Sequence, residues 1–89
     1  MAEFRWNEWN VEHIGRHAVS PEEAEDVVMG ARQPYPLKHP DEKWLVWGRT
    51  QHGRALQVIF LFDDDDTMFV IHARELNALE KQRYRRRRR

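Results

Sequence analysis

The chain has 89 residues, 40% hydrophobic and 11% aromatic, with a formal net charge of zero and no cysteine. This composition supports one globular domain and excludes a largely disordered chain, a disulfide framework and a thiolate metal site. No apolar run approaches the roughly 18 residues of a membrane span, and the first residues lack the apolar stretch of a signal peptide, so the expected location is the cytoplasm.

In chain order, Phe4-Arg5-Trp6 alternates and reads as a short edge strand. A helix is expected from Trp9 to His17, with Val11, Ile14 and Ala18 on one face and Asn7 or Asn10 as its cap. A second begins at Ser20, where Ser20-Pro21-Glu22-Glu23 is a capping box with proline in the first turn. Ala24, Val27 and Val28 form its apolar stripe, and Gly30 ends it. Pro34, Pro36 and Pro40 confine the next stretch to an edge strand or loop. Three strand patterns follow, at 43–50, 54–62 and 67–74, with turns at Gln51-His52-Gly53 and Asp63–Asp66. Asn77 to Tyr84 reads as a closing helix. Helices beside an antiparallel sheet of three to four strands make an α+β fold.

Counting residues across the two turns gives an expected register. A four-residue turn at Asp63–Asp66 sets Phe60 opposite Phe69, Val58 opposite Ile71 and Leu56 opposite Ala73. A turn around His52 sets Trp47 opposite Leu56 and Leu45 opposite Val58. Leu45, Trp47, Leu56, Val58, Phe60, Phe69 and Ile71 then form a wholly apolar face for the helices to cover. The other face places Gln57 across from His72, with Arg74 next along and Arg49 and Arg54 at the hairpin mouth. Trp44 falls on this face and is a candidate contact for a partner or RNA.

The zero net charge conceals an asymmetry. Residues 1–42 carry nine acids and four bases, whereas residues 67–89 carry eight bases and two acids. The five arginines Arg85 to Arg89 read as a basic tail that either binds phosphate backbones or is only solvated. Histidine, arginine and tyrosine together suit RNA cleavage without a metal. Histidine moves protons near neutrality, and arginine holds phosphate oxygens with a fixed fork of donors. The same residues at a strand end also serve as surface or capping groups. His13 and His17 have the four-residue spacing of a metal pair, but no third ligand stands beside them and no metal or other cofactor is expected. His17 reads as a helix-end cap, with a place in an RNA site as the alternative. Asp63 to Asp66 lack the ligand spacing of a calcium loop. They read as a solvated turn, or as a partner for the arginine run.

Three segments resemble the BrnT-like toxins, a branch of the RelE-like ribonuclease toxins. The first runs from Trp6-Asn7-Glu8-Trp9 through His17-Ala18-Val19-Ser20 to Glu22-Glu23-Ala24. The second is Gly48-Arg49-Thr50-Gln51-His52-Gly53-Arg54, and the third Ile71-His72-Ala73-Arg74-Glu75, followed by Glu80-Lys81 and Tyr84. The resemblance covers nearly the whole chain. It implies a RelE-like α+β domain over residues 1–84, with two N-terminal helices on one sheet face, a C-terminal helix and a basic tail at 85–89. It also implies a metal-independent endoribonuclease toxin held by a DNA-binding antitoxin. Carried over by position, Arg49, Arg54, Arg74 and Tyr84 match the family's basic and aromatic pattern, and His17 its helix-end histidine. Two residues depart from the pattern: Ala18 stands where the family usually has glycine, and His72 where a small residue is common. His72, Arg74, Tyr84, Arg49 and Arg54 are the expected catalytic set, and Gln57, Lys81, Arg83 and Arg85 the expected RNA contacts. The alternative is a non-catalytic RNA- or DNA-binding module, or a degenerate toxin that only binds its antitoxin. A partly apolar open sheet face leaves self-association open.

Overall fold

In the computed structural model, which describes residues 3–87, the elements follow the expected order. They are β1 (Phe4–Arg5), α1 (Glu8–Gly15), α2 (Pro21–Met29), β2 (Leu37–His39), β3 (Lys43–Arg49), β4 (Ala55–Phe62), β5 (Met68–Glu75) and α3 (Ala78–Arg87). The fold is α+β. The sheet has five strands in the order β1-β5-β4-β3-β2, one more than the upper expectation. It is mixed rather than antiparallel, because β1 runs parallel to β5. The proline-flanked β2 takes the outer edge, where Pro36 and Pro40 on either side of it interrupt no ladder.

Capping residues set the helix starts. Asn7 caps α1 in a reciprocal box with Asn10, whose own amide donates to the Arg5 carbonyl at 3.0 Å. This fully buried asparagine ties the first helix to β1. Ser20 and Glu23 form the corresponding box at α2. The α1 face is narrower than expected, with Ile14 buried but Val11 40% exposed. Ala18, also exposed, has left the helix with φ 58°, a left-handed conformation that costs a non-glycine residue about 1 kcal/mol. α3 continues beyond Tyr84 to Arg87, so the arginine run begins as helix. Residues 88 and 89 of that run lie outside the described residues.

The strand registers differ from expectation for one shared reason. Each hairpin closes with a turn followed by a left-handed residue, Gly53 (φ 86°) or Asp66 (φ 64°). In the first, Gly53 N donates to Thr50 O and Thr50 N to Arg54 O; in the second, Asp66 N donates to Asp63 O and Asp63 N to Thr67 O. This three-residue loop has one residue more than the count assumed in the first hairpin and one fewer in the second, where Asp63 pairs with Thr67, and each change moves the register by one. Val46 therefore faces Val58, Gly48 faces Leu56, and Trp47 faces Gln57. Between β4 and β5 a bulge beside Ile59 and Phe60 adds a further step. Gln57 thus faces Arg74 rather than His72, and His72 faces Ile59.

The core follows this register. Val46, Val58 and Ala73 form one cross-strand row with no exposed surface, and Leu56, Phe60 and Val70 continue the layer. Trp47, Phe69 and Ile71, placed by the count on the apolar face, are only partly buried. Helix α1 packs on β5, and α2 on β3 and β4. Gly48 permits the second contact: a Cβ there would stand 3.2 Å from Val27 Cγ1 and 3.4 Å from its carbonyl oxygen. Trp44 packs against the core, and the tryptophan most open to solvent is Trp9, 55% exposed.

Candidate functional site

The basic residues meet where the β3–β4 hairpin approaches α3. Arg49 ends β3 opposite Ala55, and Arg54 leads into β4. Leu76 N donates to Ala55 O at 3.0 Å, bringing the start of the last helix beside the hairpin mouth. Asn77 and Glu80 then cap α3 reciprocally, each accepting from the other's backbone N–H at 2.9 Å. Lys81 and Arg85 are four apart on that helix and so share a face. The result is an open cleft of about 290 Å³ lined by Arg49, Gly53, Arg54, Ala55, Glu75, Lys81 and Arg85. Four cations and one carboxylate surround it.

These cations are not equivalent. Arg54 is a buckle: Nη1 donates to the Ala18 carbonyl at 2.6 Å and to both Glu23 carboxylate oxygens at 3.1 Å, and Nε reaches Glu75 at 3.3 Å. It joins the turn after α1, the start of α2 and the end of β5. Lys81 pairs with Glu75 at 3.1 Å through side chains that are 41% and 48% exposed, a contact water can readily exchange. Lys81 and then Arg54 hold the Glu75 carboxyl below the usual carboxylate range. Arg49 is exposed and makes no ion pair among the described residues.

A second group lies inside the fold. Trp47, Gln57 and Arg74 form one row across β3, β4 and β5. Trp47 Nε1 donates to Gln57 Oε1 at 3.0 Å. Arg74 makes a two-pronged ion pair with Glu80 at 2.7 and 2.8 Å, and the side chains are only 31% and 16% exposed. The Arg74 guanidinium pushes the Glu80 carboxyl down to about 2. Tyr84 is buried against Tyr35, which also stacks on Trp47.

A third group joins α1 to β5. Trp9 and His13 are four apart on one side of α1, and His17 follows in the turn after it. Trp9 lies flat on His13, with ring centroids 5.0 Å apart, and on Phe69 at 6.0 Å. His17 meets half-buried His72 edge-on, with centroids 5.7 Å apart. Burial, followed by the charges of Arg74, His17 and His13, lowers the proton affinity of His72.

The predicted site residues therefore fall into separate places. Arg49, Arg54, Lys81 and Arg85 come together in the cleft, and Arg83 stays exposed on α3. Gln57, Arg74 and Tyr84 belong to the interior row and its cover, while His72 and His17 face each other elsewhere. The missed residues are the counter-ions Glu23, Glu75 and Glu80. A signal for Glu80 was present, because Asn77-x-x-Glu80 is a capping pattern. Among the described residues no group of three or more His, Asp or Glu side chains is placed to hold a metal ion. In the acidic turn, Asp63 accepts from Arg5 Nε at 2.6 Å and Asp65 from Thr67. A wider depression of about 810 Å³ runs along α1 from Asn7 to Arg16, but Glu8 and Glu12 line it and Arg16 is paired to Glu12.

The depressed Glu80 carboxyl has a consequence for stability. Its contribution is complete above the unfolded value of 4.5 and is lost as pH falls through about 2. The thermal midpoint should therefore drop across that window, and Glu80→Gln should flatten the drop. Midpoints measured at several pH values check this, and an unchanged slope in the variant would refute it.

No protein-family model, curated protein or solved structure matches this chain.

Proposed function

We propose that the protein is an endoribonuclease toxin of the BrnT-like, RelE-fold type, acting on RNA without a metal and held by a DNA-binding antitoxin. The observation that carries this reading is the convergence of Arg49, Arg54, Lys81 and Arg85 on one open cleft. Cations brought together from a hairpin and a helix suit a phosphate backbone, since each phosphate contact releases condensed counterions. The α+β class fits the resemblance, although the sheet is five-stranded and mixed where the resemblance implies three to four antiparallel strands. Such a toxin would act in the cytoplasm, and no helix among the described residues is long and apolar enough to cross a membrane.

In this reading Arg49, Lys81 and Arg85 touch phosphate, while Arg54 shapes the cleft through its three partners. Arg74 and Tyr84 support the site from beneath. That interior placement also favours a second reading, an RNA-holding module that does not cleave. Inducible expression in a bacterial host separates the two, with growth and total RNA integrity followed together. Growth arrest with fragmented RNA, relieved by Arg49→Ala/Lys81→Ala, is the expected result. Normal growth with intact RNA, from soluble folded protein, would transfer the conclusion to the binding module.

A further inference from the structure

Resting on the ribonuclease reading, we propose that His17 and His72 form the proton-transfer pair for RNA cleavage, with His72 as base and His17 as acid. The cleft holds cations but no group that exchanges protons near neutrality. Among the described residues the edge-to-face pair at 5.7 Å is the one place where two imidazoles meet, as an acid and a base acting together require. The two features share a wall: Arg54 lines the cleft and donates to the carbonyl of Ala18, the residue after His17. His17 thus stands one residue from the cleft wall.

The environments divide the roles. His72 is half-buried and faces His17 and His13 from α1 and Arg74 along β5, so its neutral form is favoured, as a base requires. His17 stands exposed at the helix end, where water can restore its proton. His13 lies flat against Trp9 and is engaged in stacking. In the reaction, neutral His72 takes the proton of the ribose 2′-hydroxyl as O2′ attacks phosphorus. The P–O5′ bond breaks and O5′ takes its proton from the His17 imidazolium. The products are a 2′,3′-cyclic phosphate and a 5′-hydroxyl. No water or other reactant is consumed, and solvent returns both rings to their starting states.

Leaving-group dependence tests the assignment on the full chain. Wild type, His17→Ala and His72→Ala are compared on a short RNA and on uridine 3′-(4-nitrophenyl phosphate), whose leaving group departs without a proton. Both variants should lose 100-fold or more on RNA. On the nitrophenyl ester, His17→Ala should stay within a few-fold of wild type and His72→Ala should remain impaired. Because His17 is exposed, its variant is expected to fold and can decide the question even if His72→Ala does not. Wild-type RNA cleavage by folded His17→Ala would overturn the pair and leave the ribonuclease reading standing. Equal loss on both substrates would overturn the acid role. A wild-type protein that binds RNA but cleaves neither substrate would overturn both readings.

Discussion

Arg74→Ala is expected to be less stable than wild type by about 2–3 kcal/mol, the range for losing hydrogen bonds to a charged group. The substitution leaves the Glu80 carboxylate, only 16% exposed, without the two guanidinium donors at 2.7 and 2.8 Å. For a domain of this size that corresponds to a fall of roughly 10–20 °C in thermal midpoint. Glu80 also caps α3 through Asn77, so the loss should spread into the helix that carries Lys81 and Arg85. Arg74→Lys keeps the charge but not the fork, and should recover only part of the stability. In the double variant Arg74→Ala/Glu80→Ala the two costs should sum to less than the separate values, because one interaction is removed twice. Thermal unfolding of these variants, of Glu80→Ala and of wild type checks this. An unchanged midpoint in Arg74→Ala, with RNA cleavage abolished, would return Arg74 to the catalytic set. The variant is therefore a stability probe first, and loss of activity in it has meaning only after folding is measured.

The cleft makes the second large prediction. Arg49→Ala/Lys81→Ala should weaken RNA binding about 100-fold at low salt, about tenfold for each charge-assisted hydrogen bond to phosphate. The slope of log affinity against log salt should become shallower by about 1.4, or about 0.7 for each single-strand phosphate that is no longer neutralised. Lys38→Ala removes an exposed cation on β2, away from the cleft, and should change neither quantity. Glu75→Gln removes the one carboxylate facing the cleft and frees Lys81, so it should tighten binding by a few-fold. A salt titration with a fluorescent single-stranded RNA measures all four proteins. If the double variant binds with an unchanged slope, the RNA path does not cross this cleft. Arg54 is a poor choice for this test, because Ala18, Glu23 and Glu75 all depend on it.

Placing these arginines depended on details that a count of residues does not contain. Arg49 and Arg54 flank a turn that any hairpin reading places at a mouth, so their proximity was legible. Their neighbours were not. A single left-handed residue at Gly53 slides β3 along β4 by one position, exchanging Trp47 for Val46 and Gly48 on the core side. Because side chains alternate along a strand, one step transfers every residue to the other face. The bulge between β4 and β5 then separates Gln57 from His72 and gives it Arg74. The changed turn and the bulge together move the pairing by two positions, and the expected pairing of Gln57 with His72 dissolves.

By itself, the sequence determined the local elements and their order. Ser20-Pro21-Glu22-Glu23 starts a helix wherever it occurs, alternation marks strands, and prolines confine β2 to an edge, because these are short-range steric and hydrogen-bonding constraints. Arg85, read as tail, shares a helical face with Lys81 only because α3 runs on to Arg87. Tertiary structure alone decided which cations remain free. Arg54 and Arg74 read like Arg49 in the chain, yet long-range pairing gives one three partners and locks another to Glu80, while Arg49 stays open to solvent. It likewise brought His17 to His72, residues from the two halves of the chain that meet only because α1 packs along β5. Charge pairing and ring contact depend on distance in space, and the chain specifies that distance only through the packed sheet.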